Sequence, residues 1–84
     1  MDSIIKLSPG VRVRKEDFGL IFYDAKKSDI CLVRSGDSVL PCHLDGTYTR
    51  ESLISMQPVV KQKSVVQLLE SLQQKGLVCE QPLG

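Results

Sequence analysis

The sequence predicts an α+β fold in one domain spanning residues 1–84: a three-stranded antiparallel sheet followed by a winged-helix-like unit of three helices. Two observations carry this. Apolar residues alternate with a period of two through residues 11–34 and then recur at three- and four-residue steps through 37–75. Turn and stop signals divide the second region into three, with LDG at 44–46, a proline at 58 and KGLV at 75–78.

The first strand is VRVR at 11–14, with Val11 and Val13 facing inward and Arg12 and Arg14 outward. A lead-in of Ile4, Ile5 and Leu7 precedes it, closed by the turn Ser8-Pro9-Gly10. After the charged turn 15–17 comes FGLIFY at 18–23. Phe18, Leu20 and Phe22 share one face and Gly19, Ile21 and Tyr23 the other, so this is expected to be the middle strand. The connection 24–28 is longer than a two-residue hairpin turn. DICLVR at 29–34 forms the third strand, with Ile30 and Leu32 on one side and Cys31 and Val33 on the other. As an edge with an apolar middle, it needs either cover or a partner.

A short helix is expected from Asp37 or Ser38, with Pro41 in its first turn and Asp45-Gly46 ending it. Thr49 is the expected N-cap of a second helix that buries Leu53, Ile54 and Met56 and is broken by Gln57-Pro58. In the long third helix, Val65, Leu68, Leu69 and Leu72 form the apolar stripe. Ser64 and Gln67 match a capping box, which puts the helix start near 64 and leaves Val59 and Val60 to the approach or to an earlier turn. Gly76 terminates it, Leu77 to Glu80 add a short strand or tuck onto the core, and 81–84 form a tail. Phe18 or Phe22 is expected to pack against Leu68 and Leu72.

Composition narrows the function. With 11 basic and 10 acidic residues the formal net charge is +1, which argues against strong non-specific capture of nucleic acid or membrane. Three cysteines without CxxC spacing, Cys31, Cys42 and Cys79, favour a cytoplasmic chain over a disulfide framework. No run approaches a membrane span, and residues 1–8 lack the pattern of a signal peptide. Cys42, His43 and Asp45 lie within one turn without a second ligand cluster, so no metal site is expected. Cys42 and His43 are sequence neighbours, which do not face each other on a helix, so no nucleophile–base pair is expected and His43 is placed at the surface or its boundary. The scattered carboxylates make no acid–base pair and no glycine-rich phosphate loop occurs, so neither an enzyme nor a cofactor site is expected.

A helical trio with a wing is also a DNA-reading architecture, but the long helix contains no arginine and its lysines cluster at its ends. A winged-helix nucleic-acid-binding regulator is therefore the alternative, alongside a small self-associating structural domain. The preferred expectation is capture of an extended peptide by the open strand 29–34 beside the long helix. Lys27, Arg34 and Lys61 or Lys63 would favour an acidic peptide.

The segments VRVRKEDFGLIFYD (11–24), LVRSG (32–36), LDGTYTRESLI (44–54) and LLESLQQKGLV (68–78) span most of the chain. Their order and spacing resemble the peptide chaperones that act as recognition elements for ribosomally made, modified peptides, the fold first associated with pyrroloquinoline quinone biosynthesis. The pattern E-x-F-G-x-x-F-Y-D at 16–24 resembles the mycofactocin binding branch. The resemblance implies three antiparallel strands followed by three helices, with no catalysis. It also implies that the leader segment of a precursor peptide adds to the edge formed by Asp29, Ile30, Cys31, Leu32, Val33 and Arg34. The same peptide would lie against Lys61, Ser64, Val65 and Leu68 of the third helix, which the resemblance places at 60–75, and be presented to a radical S-adenosylmethionine enzyme. A homodimer through the same edge is a competing occupant.

Overall fold

The computed structural model describes residues 3–82. Its elements, in chain order, are β1 (Ser3–Leu7), β2 (Val11–Glu16), β3 (Gly19–Asp24), β4 (Asp29–Val33), a single 3₁₀ turn (Pro41–Leu44), β5 (Asp45–Thr49), α1 (Arg50–Ser55), α2 (Val59–Gln74) and β6 (Val78–Pro82). The fold is α+β, with two three-stranded antiparallel sheets and a winged-helix-like helical unit. One sheet has the order β2-β3-β4, with β3 central; the other has the order β5-β1-β6. Leu83 and Gly84 of the expected tail lie outside the described residues.

The expected first sheet forms from local hairpins. Val13, Phe22 and Cys31 stand in register across it, as do Lys15, Leu20 and Val33. Leu20 and Phe22 are fully buried and join Val65, Leu69 and Leu72 of α2 in the core. Phe18 departs from expectation. It sits in the turn ahead of β3 and is 39% exposed, because the strand begins only at Gly19 and the alternation cannot be extended back to it. In the β3–β4 connection, the buried Asp24 carboxylate accepts the backbone N–H of Lys26 at 3.0 Å, and Ser28 takes a left-handed φ of 55°.

The residues of the E-x-F-G-x-x-F-Y-D pattern have structural employment. Glu16 pairs with Arg14 at 2.6 Å, Phe22 is core, and Asp24 holds the turn. Gly19, at φ 150°, lies so close to the end of β4 that an added Cβ would overlap the Val33 carbonyl oxygen and stand 2.5 Å from the Ser35 nitrogen. Both obstacles are backbone, so Gly19→Ala is expected to cost about 2–3 kcal/mol through overpacking and backbone strain, measured as a lowered urea midpoint.

The helical region corrects several expectations. The helix expected from 37 or 38 is absent: the chain runs irregularly through Gly36, at φ 55°, and makes only the 3₁₀ turn at Pro41–Leu44. His43 is buried there, not at the surface. Its Nδ1 accepts the Leu40 N–H at 3.0 Å, and its ring meets Tyr48 edge-on with centroids 5.0 Å apart. Asp45-Gly46 does not close a helix but opens β5. Thr49 caps α1 as expected, its Oγ1 accepting the Ser52 N–H at 3.1 Å; Leu53 is buried and Met56 exposed.

The long helix runs Val59–Gln74, within one residue at each end of the 60–75 that the resemblance implies, and so does not start near Ser64. Pro58 stands at the N-cap position in an extended conformation, and the Lys61 N–H bonds its carbonyl at 2.8 Å. The expected box at Ser64–Gln67 therefore lies inside the helix, and Val59 and Val60, 82% and 86% exposed, form the earlier turn and do not pack in the approach. The helix ends as predicted. Gly76 at φ 75° donates to the Gln73 carbonyl and Leu77 to the Leu72 carbonyl, each at 3.0 Å, which is the paired-bond Schellman termination.

Candidate functional site

The geometry centres on β4, which bonds only to β3 among the described residues. Which of its backbone groups face outward follows from the register. The Ala25 N–H donates to the Gly10 carbonyl at 3.0 Å, continuing the β2–β3 ladder in which Val11 stands opposite Asp24. In an antiparallel ladder, hydrogen-bonded pairs alternate with non-bonded ones. Odd-numbered residues of β3 therefore bond to β2 and even-numbered ones to β4. Across the second ladder this pairs Leu20 with Val33, Phe22 with Cys31 and Asp24 with Asp29. The N–H and C=O groups of Ile30 and Leu32 are left pointing to the open edge.

The side chains of the strand divide between two faces. Cys31 and Val33 are half-buried against the core. Ile30 and Leu32, 69% and 62% exposed, lie on the outer sheet face in register with Tyr23 and Ile21, which are in turn opposite Arg12 and Arg14.

Helix α2 runs beside the open edge in the opposite direction, leaving a seam with a cavity at each end. The first, of about 240 Å³, lies between Arg34, Ser35 and Ser38 after β4 and Lys61, Ser64, Val65 and Leu68 on α2. The second, of about 320 Å³, lies between Lys27, Asp29, Ile30 and Cys31 and the helix end at Gln74, Lys75 and Leu77. There the Lys75 ammonium lies 3.6 Å from the Cys31 sulfur.

Of the ten residues singled out in the sequence, Arg34, Lys61, Ser64, Val65 and Leu68 share the first cavity, and Asp29, Ile30 and Cys31 share the second. Leu32 and Val33 line neither cavity. Val65 is fully buried, so it forms the floor and not a rim. Sequence reasoning missed Ser35, Ser38 and Lys27's companions Gln74 and Lys75. The last was within reach, because positions 61, 65, 68, 72 and 75 continue one stripe at four- and three-residue steps.

Electrostatically the seam is lopsided. Arg34 and Lys61 at one end, and Lys27 and Lys75 at the other, enter no ion pair among the described residues, while Arg14, Lys15 and Arg50 are all paired. The Ser35 hydroxyl is buried without a hydrogen-bond partner. Among the described residues, no group of three or more His, Cys, Asp or Glu side chains is placed to hold a metal ion, and no helix is long and apolar enough to cross a membrane. No family model matches the chain, and no match is found among the curated proteins or the solved structures.

Proposed function

We propose that the chain is a non-catalytic, cytoplasmic peptide-binding domain that takes an extended segment onto the open edge of β4. The observation that carries this is the pairing of that edge with the α2 seam. Ile30 and Leu32 present unpaired main-chain groups, and cavities stand ready for side chains on the helix side. Main-chain bonds supply affinity with little regard to sequence, and the cavities supply selectivity.

In this proposal the segment is the leader of a ribosomally made precursor peptide, consistent with the resemblance to recognition elements of the mycofactocin type. The domain presents it to a radical S-adenosylmethionine enzyme. Holding both partners raises the effective concentration of the peptide's remaining segment at the enzyme, with no chemistry required of the domain itself.

The backbone alternation makes the test specific. In amide hydrogen exchange followed by NMR, Cys31 and Val33 are expected to be protected before any addition, while Ile30 and Leu32 exchange quickly. Adding the precursor's leader peptide should slow Ile30 and Leu32 by at least about tenfold and leave the other two nearly unchanged. Protection that appears instead along the outer face of β2, or nowhere, would refute edge addition. If Ile30 and Leu32 are already protected and become exposed on dilution, the edge is occupied by a second copy of the chain.

A further inference from the structure

Resting on the edge-addition proposal, we infer that the preferred segment carries two acidic side chains four residues apart, with an apolar side chain midway between them. The spacing follows from the two cavities. One abuts Asp29 and Cys31 and the other abuts Arg34 and Ser35, so their centres are separated by about four residues of strand, roughly 13 Å. A strand paired with β4 turns every second side chain toward α2. Positions i, i+2 and i+4 therefore all face the seam, while i+1 and i+3 stand with Ile30 and Leu32 on the outer side.

The chemistry at each position follows from what lines it. At the first cavity, Arg34 and Lys61 carry two positive charges with no carboxylate among the lining residues. At the second, Lys27 and Lys75 exceed the single charge of Asp29 by one. Midway, the incoming side chain meets the half-buried Cys31, Val33 and Leu68, which are apolar. The chain as a whole carries a formal charge of only +1, so the lining of the two cavities is more positive than the chain's overall balance. The first cavity is the stronger acid site, because no resident carboxylate competes there.

Panning a randomised heptapeptide library on the full chain at low salt tests this. The expected enrichment is Asp or Glu at two positions four apart with an apolar residue between. The double variant R34E/K61E, altered only at exposed side chains, should replace one of the two acids with Lys or Arg and keep the other. Selected peptides should bind the unaltered chain about tenfold more weakly when both acids are changed to amides, with the difference shrinking in high salt. Enrichment of alternating β-formers without acids would leave edge addition standing and overturn the acidic pattern. Acid enrichment unchanged in R34E/K61E would overturn it as well, by placing the acids elsewhere. No enrichment at all would overturn both proposals. A thymidine oligonucleotide that perturbs the Ile30 and Leu32 amides as tightly as the selected peptides would replace the pattern with phosphate capture.

Discussion

Phe22→Ala is expected to destabilise the fold by about 3–5 kcal/mol, which for a domain of this size is much of its total stability. Phe22 is fully buried at the middle of the central strand, in register with Val13 on one side and Cys31 on the other. Its ring belongs to the same core cluster as Val65, Leu69 and Leu72 of α2, and no neighbouring strand can shift to close the hole without breaking its ladder. With a urea dependence of about 1 kcal/mol per molar, the unfolding midpoint should fall by roughly 3–5 M. Phe18→Ala is the control. Its ring lies at a turn and is substantially exposed, so a loss below about 1 kcal/mol is expected. Equal losses for the two would mean that the sheet packs differently. Because Cys31 leans on Phe22, any folded fraction of the Phe22 variant should also bind peptide poorly.

The largest expected effect on binding comes from Leu32→Pro. The Leu32 N–H faces the open edge, so proline removes no ladder bond to β3, and an edge strand tolerates it for that reason. The variant should remain folded, judged by a dispersed amide spectrum. Leader-peptide affinity should fall at least tenfold, because a main-chain donor is lost and the ring projects toward the incoming strand. Cys31→Pro should behave in the opposite way. It deletes the N–H bonded to Phe22, so β4 detaches and stability falls by about 3 kcal/mol. Leu32→Ala isolates the side chain, which points away from the seam, and should change affinity less than about threefold. Unchanged binding by a folded Leu32→Pro would end the edge-addition proposal.

The legible part of the fold was the part set by near neighbours in the chain. The hairpins of β2, β3 and β4 announce themselves by alternation, and α2 by its stripe and its Gly76 stop. The second sheet depends on partners distant in sequence. β5, DGTYT, has one large apolar residue, Tyr48, and its Asp-Gly imitates a helix end. β1 does alternate, with Ile5 buried between half-buried Ile4 and exposed Lys6, but a five-residue run at the start of a chain carries little weight until its neighbours are known. The expected first helix fails because Gly36 takes a left-handed turn and Pro41 permits only a single turn afterward. At the seam, the strand side was readable as an unprotected edge. Ser35 and Ser38 were not, because their place depends on how a loop approaches the helix in space, whereas Lys75 follows from extending the stripe to the helix end.

Strand β1 lies between β5 and β6, pairing Ile4 with Thr49 on one side and Ser3 with Pro82 on the other. It precedes the other described elements in the chain and is the last of them to have both partners available. The β2–β3–β4 hairpins and α2 can form from short-range encounters, but the sheet that ties the two ends together must wait for the strand at 78–82. Closing so long a loop is entropically expensive, so the final locking step should be slower than the assembly of the seam. A nascent chain would thus carry a nearly complete β4–α2 seam on a body that is not yet fastened shut.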